Sequence, residues 1–436
     1  MRGPVVAGRA GIMSRTPITD ARPMSVPDSD PATAALVAAA QHYFVPVYRP
    51  RAAVLDRGRG ARVWDIEGRE YVDFAAGIAV CGLGHADPEL VAALTAQAGK
   101  LWHTSNVFLS EPAIRLAEEL VAASGFATRV FFCNSGAEAN EAAIKLARRW
   151  ATAQGRPPER RVILSFQGSF HGRTLATVTA TAQPRYQEGY EPLPAGFRYA
   201  AFNDANAAAA AMANGDVAAV LVEPVQGEGG VMPAVPGYLA ALRLLCDRHD
   251  ALLICDEIQC GMGRTGTLFA HPQDGVIPDI VTLAKALGAG FPIGAMLAGP
   301  KVAEVLQYGA HGTTFGGNPL AAAVARVALR RLAAPALLAN VERQARALRA
   351  GLECINAELG IFSAVRGRGL MLGALLAEPH RGRAGEVLDH AHRAGLLLLQ
   401  AGPDVLRLVP PLVLTDADAA EGLDRLRIAL GGFLGG

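Results

Sequence analysis

Several short stretches of this chain place reactive side chains directly after apolar runs that read as strands. Asp256 follows Ala251–Cys255, and Lys285 follows Ile280–Ala284. A carboxylate in such a place is costly unless a cation pairs with it, and a protonated aromatic ring nitrogen would be such a cation. Lys285 stands between Ala284 and Ala286, ahead of Leu287-Gly288-Ala289-Gly290. A free lysine titrates near ~10.4, and burial beside an apolar strand lowers that value, which suits a Schiff base with a carbonyl. The bland alternative is a snorkelling lysine at a helix start. After Val130–Cys133 comes Asn134-Ser135-Gly136-Ala137-Glu138, where Ser135 and Glu138 fit a capping box. The same turn would offer the N–H groups of Gly136 and Ala137 to a phosphate at the positive end of the helix. His311-Gly312-Thr313-Thr314-Phe315-Gly316-Gly317-Asn318 is a glycine-bracketed turn whose two hydroxyls suit a second phosphate contact.

Pyridoxal phosphate asks for a buried carboxylate of the Asp256 kind, because its ring is an electron sink when the ring nitrogen is protonated. Gly261-Met262-Gly263-Arg264-Thr265-Gly266 spells a dinucleotide-binding fingerprint, but that fingerprint must open a helix. Here the chain runs on through Pro272 and Pro278 without helical period, so the match is a decoy.

The elements that must carry these residues alternate. Apolar runs at Arg129–Cys133, Arg161–Phe166, Ala218–Val222, Ala251–Cys255, Ile280–Ala284 and Ile293–Ala298 are continuous, as in strands buried on both faces of a largely parallel sheet. Helices are expected at Glu111–Ala123, Ala137–Trp150 and Gly237–His249, which gives an α/β architecture. Ligands collect at the carboxyl ends of strands in such sheets, which is where Asp256 and Lys285 fall. Residues 76–330 are therefore read as a large domain. After residue 330 come helices near Ala336–Leu359 and Gly385–Ala394 with strands at Gly369–Leu375 and Leu406–Leu408, a smaller α+β domain over 331–436. A segment 32–75, with a hairpin turning at Glu67-Gly68, is expected to pack with it.

The 436 residues suffice for two domains, and 51% hydrophobic with 19% charged residues is a globular composition. Forty-one basic against 40 acidic side chains leave a net charge of +1, which gives no field for nucleic acid or an anionic membrane. The six cysteines show neither C-x-x-C nor zinc-type spacing, so neither a disulfide framework nor a metal is expected, and a reducing, cytoplasmic setting is. Residues 1–31 are rich in Pro, Gly and Ser and read as a disordered extension, with Met13 or Met24 as alternative starts. Arg2, Arg9 and Arg15, with no acid before Asp20, also fit an organelle transit peptide.

Six segments in one order make the chain resemble the class III aminotransferases, pyridoxal-phosphate enzymes of fold type I. They are Asn134–Arg148, Phe170–Thr174, Glu223–Gly230, Asp256–Gly266, Lys285–Gly294 and Gly312–Pro319, within a resemblance spanning roughly residues 40–430. The resemblance implies a large domain with a mostly parallel mixed sheet between helices, plus a smaller α+β domain. It implies that Lys285 bonds the cofactor and shuttles the substrate proton, Asp256 pairs with the ring nitrogen, and Gln259 contacts the ring hydroxyl. Phe170 and Ile258 would sandwich the ring. Ser135, Gly136 and Ala137 would hold phosphate from one subunit and Thr314 from the other, making a homodimer with shared sites. Arg173 would hold the distal carboxylate, with Thr313 beside the substrate. Arg407 would grip the α-carboxylate of glutamate, and Glu228 would neutralise Arg407 while an amine is bound. Ile78 and His171 stand where ornithine-using members resemble one another in having tyrosine and tryptophan. That difference implies an acylated substrate, N-acetylornithine with 2-oxoglutarate as acceptor, in arginine biosynthesis. Succinylornithine, 4-aminobutyrate or a glutamate-semialdehyde mutase reaction are the alternatives.

Overall fold

The computed structural model describes residues 30–51 and 53–435. Most of the extension expected over 1–31 lies outside the described residues. Asp30 caps a helix at Pro31–Tyr43, accepting the N–H of Ala32 at 3.1 Å, and residues up to Val54 form a unit apart from Leu55–Gly436.

Within the second unit the apolar runs assemble one seven-stranded sheet. Its order is Arg129–Cys133, Gly294–Ala298, Ile280–Leu283, Leu252–Asp256, Val217–Val222, Val162–Phe166 and Phe197–Ala200. Gly294–Ala298 runs antiparallel to both its neighbours, and the other pairings are parallel. Every residue of Val217–Val222 and of Leu252–Asp256 is buried, which is why those runs lack polar alternation. The edge strand Phe197–Ala200 is not anticipated from the sequence; its Phe-Arg-Tyr-Ala run is half exposed and carries no apolar signature.

The helix Gly136–Ala153 packs on the strands Gly294–Ala298 and Ile280–Leu283, and so points its first turn at the carboxyl ends of Arg129–Cys133 and Ile280–Leu283. The G-x-G-x-x-G run opens no helix; Gly263 and Gly266 have φ of +87° and +96° in consecutive turns.

Beyond Leu332, Phe362–Arg368, Met371–Leu376, Val405–Leu408 and Leu399–Gln400 form an antiparallel sheet under the helices Pro335–Leu359 and Ala384–Arg393. The hairpin Arg62–Asp65 and Glu70–Asp73 turns at Gly68, φ +80°, and belongs to a third sheet with Leu55–Arg59 and Leu396–Leu397. The closing helix, Asp416–Gly435, was not expected. Gly422 in its middle lowers helix propensity, yet a Cβ there would stand 2.1 Å from the Phe74 ring, so close packing demands the glycine.

Candidate active site

Asp256 is the last residue of its strand and only 3% exposed. Its Oδ2 accepts from Asn140 Nδ2 at 2.7 Å and lies 2.8 Å from His171 Nδ1, while Oδ1 accepts the N–H of Ile258 at 3.1 Å. Asn140 is itself fixed, since its Oδ1 accepts the Thr282 hydroxyl at 2.8 Å and its Nδ2 also donates to the His171 carbonyl. One carboxylate is thus held from a helix, a loop and its own turn, so its position is over-determined.

Lys285 begins a short turn after Ile280–Leu283 with φ +44°, a left-handed conformation that an L side chain adopts at a cost of about 1–3 kcal/mol. Burial first, and then the positive charge of Arg407, hold its amine below the usual lysine value. Glu223, the residue after Val217–Val222, is buried as well. Its Oε2 accepts the N–H of Phe170 at 3.0 Å and its Oε1 that of Gly227 at 3.3 Å. Burial pushes this carboxyl up to about 7.

A second charged group enters from the smaller sheet. Arg407, on Val405–Leu408 and 3% exposed, donates Nη1 to Glu228 Oε1 at 2.6 Å and to Gln259 Oε1 at 3.2 Å, while its buried Nε has no partner among the described residues. A Cβ on Gly227 would stand 2.4 Å from that Gln259 oxygen, so the chain reaches the pair only through glycine. The guanidinium of Arg173 lies 4.0 Å from the Tyr186 ring centroid and 5.5 Å from that of Phe170.

Ser135, Gly136, Ala137, Phe170, Arg173, Glu228, Asp256, Ile258, Gln259 and Lys285 all line one cavity of ≈ 430 Å³, and Arg407 reaches it through Glu228 and Gln259. Ser135 caps the helix as expected, accepting from the N–H of Glu138 at 3.2 Å, but the Glu138 carboxylate takes the N–H of Asn134 rather than that of Ser135. Thr313 and Thr314 are not on this cavity. Thr313 Oγ1 is engaged by Asn134 Nδ2 and the Gly316 N–H, and Thr314 borders a separate pocket beside His103–Ser110. Ile78 does not line the cavity either; it is 45% exposed, and Val80 takes a place on the wall instead. His171 does line it, but its ring nitrogen is turned to Asp256.

The class-III aminotransferase family model matches residues 44–430. The chain belongs to the class-III aminotransferases. Two relatives named acetylornithine aminotransferase are 72% identical over 90% of this chain and 96% of the protein from Xanthomonas campestris pv. campestris, and 74% identical over 89% and 95% for that from Xanthomonas axonopodis pv. citri. The solved N-acetylornithine aminotransferase of Stenotrophomonas maltophilia is similar with a TM-score of 0.82 and 62% identity, over 92% of this chain and 99% of that one. The mixed α/β fold expected from the resemblance is the fold observed.

In this class-III aminotransferase the site's own chemistry fits a phosphorylated aromatic aldehyde with a basic ring nitrogen. The N–H groups of Gly136 and Ala137, at the start of an 18-residue helix, have no protein acceptor among the described residues and open on the cavity that holds Lys285 and Asp256. A Cβ on Gly136 would meet Ile258 at 2.9 Å, so the turn and that wall residue pack as one cradle.

Two residues of the site escape the sequence reading as individuals. Glu223 carried the same signal as Asp256, a carboxylate directly after a fully apolar strand. Asn140 carried none, because an asparagine one turn into a helix looks like any other.

Proposed function

We propose that this protein transfers the 5-amino group of N2-acetyl-L-ornithine to 2-oxoglutarate, giving N-acetyl-L-glutamate 5-semialdehyde and L-glutamate, a step of arginine biosynthesis. The observation that carries this reading is the Glu228–Arg407 ion pair beside the cavity that contains Lys285. The amine substrate brings no carboxylate to its reacting end, and a buried guanidinium left without a partner there is expensive. Glu228 supplies the missing charge. A 2-oxo acid carries a carboxylate next to its reacting carbon, which takes over Arg407 as Glu228 withdraws. One site then serves two substrates of different shape, whereas a mutase that needs no 2-oxo acid would have no use for the pair. The two relatives at 72% and 74% identity support the acetylated amine.

Pyridoxal 5′-phosphate, when bound, supplies a carbonyl that carries the one transferred amino group between the substrates and a ring that accepts electrons. Gly136, Ala137 and Ser135 would hold its phosphate, Asp256 its ring nitrogen, Gln259 its ring hydroxyl, and Phe170 and Ile258 its two faces. Lys285 Nζ would hold it covalently and, when free, would take the proton from the substrate carbon that bears the amine. An amine below the ordinary lysine value is the better base near neutrality. Arg173, on the cavity wall, holds the far carboxylate of either substrate.

The reading includes a homodimer acting in the cytoplasm. Thr314 is absent from its own chain's cavity, which suits a residue donated to a second copy. Trp102, Val107, Phe108, Leu109 and Phe315 are between 58% and 88% exposed, an apolar surface of the kind a partner copy covers.

Glu228→Ala tests the reading. It should lower kcat/KM for acetylornithine about tenfold or more while sparing glutamate, because only the amine needs Arg407 neutralised by the protein. Equal losses on both substrates contradict it.

A further inference from the structure

Glu228 borders a second cavity as well as the first. This one, ≈ 330 Å³, is lined by Gly229 and Gly230 from the same loop and by Arg366, Arg185 and Asp404. Arg366 lies on Phe362–Arg368 and donates Nε to the carbonyl of Gly230 at 2.8 Å, two residues beyond Glu228. Among the described residues its guanidinium makes no ion pair and no other hydrogen bond, and burial alone lowers its pKa. The contact with the loop is close: a Cβ on Gly230, φ +96°, would stand 2.5 Å from Arg366 Nη2. Arg185, exposed, spends its Nη2 on the Gln183 side chain and the Tyr186 hydroxyl. Asp404 is the one acid on this lining besides Glu228; its Oδ1 accepts the N–H of Gly382 at 2.6 Å, and it forms no ion pair with either arginine.

We propose that Arg366 receives the carboxylate of Glu228 whenever the carboxylate of 2-oxoglutarate or glutamate takes Arg407. The inference rests on the two-substrate reading above and supplies what that reading lacks, a place for the displaced charge. The Glu228 side chain is only 19% exposed beside Arg407, so leaving that partner without gaining another would strand a poorly solvated carboxylate. Because the residue already faces both cavities, a change of side-chain rotamer carries it from one guanidinium to the other. Arg366 is tied to the backbone of the same loop and keeps its position relative to the moving side chain. Arg366 is in this sense a positioning residue for specificity: it acts on substrate choice through Glu228 and touches no reacting atom.

The test is the two half-reactions of the pyridoxal-phosphate-loaded enzyme, followed separately by the absorbance of the cofactor. Arg366→Gln should raise the half-saturating concentration of glutamate about tenfold and change that of acetylornithine by less than about twofold. Arg366→Lys, which keeps the charge, should recover most of the difference. In a Glu228→Ala background Arg366→Gln should have no further effect, because no carboxylate is left to receive. The same loss in both backgrounds, or the same loss on both substrates, would overturn the proposal and leave Arg366 a structural residue. A loss confined to N-succinylornithine would also overturn it, assigning Arg366 to an acidic acyl group instead. If the unaltered enzyme converted neither acetylornithine nor glutamate, the two-substrate reading itself would fall, a result separate from any of these.

Discussion

Asp256 and Arg407 are both charged and both 3% exposed, yet the protein holds them in different ways. Asp256 ends a strand of the large sheet and is engaged by Asn140, His171 and the Ile258 N–H on two oxygens. Arg407 stands on the small sheet with Glu228 and Gln259 on a single nitrogen and a buried Nε that has no partner among the described residues. The first arrangement leaves the carboxylate one posture. The second leaves the guanidinium with donors to spare and a partner that can be exchanged. Chemistry common to both substrates calls for the fixed kind of contact, and a choice between substrates calls for the exchangeable kind.

The comparison breaks most visibly at its fixed end. Lys285→Ala should reduce transamination of acetylornithine roughly 10³-fold or more, and it should remove the cofactor absorbance that depends on the covalent link. A persistent band with near-normal turnover would dismantle the assignment of the whole floor. At the exchangeable end the effects are smaller and selective, as set out for Glu228 and Arg366.

Glu223 sharpens the contrast, because its two oxygens tie Phe170 on one side to Gly227, next to Glu228, on the other. Its folded pKa of about 7 lies above the usual 4.5. A raised value means the contribution to stability is complete below about 4.5 and is lost as the pH rises through about 7. At about 1.4 kcal/mol per unit, the loss is about 3 kcal/mol. Glu223→Gln, neutral at every pH, escapes that loss, so its melting temperature should rise relative to that of the unaltered protein as the pH goes from ~5 to ~8. A gap that stays constant across that range would mean Glu223 keeps one charge state throughout.

Much of the floor was legible because burial on both faces writes a continuous apolar run, and the residue after such a run falls at the sheet's carboxyl edge. Asp256 and Lys285 announced themselves this way, and the strand bounds agree to within a residue or so at each end. Phe197–Ala200 and Leu396–Leu397 did not, being an edge and a two-residue pairing with too few apolar positions to show a period. Phe362–Arg368 was hidden for a similar reason, since most of it is half-buried or exposed. The rim was legible only by resemblance. Nothing in the residues around Glu228 or Arg407, 179 positions apart, says that they meet at 2.6 Å. Ile78, singled out by the same route, sits in an exposed left-handed turn off this chain's cavity.

The most direct measurement is single-turnover absorbance of the cofactor-loaded enzyme with acetylornithine, succinylornithine, ornithine and 4-aminobutyrate, each without 2-oxoglutarate. Conversion of the cofactor from its aldehyde to its amine form should be fastest with acetylornithine. Fastest conversion with another of the four would contradict the substrate assignment, and no conversion with any of them would contradict the role given to Lys285.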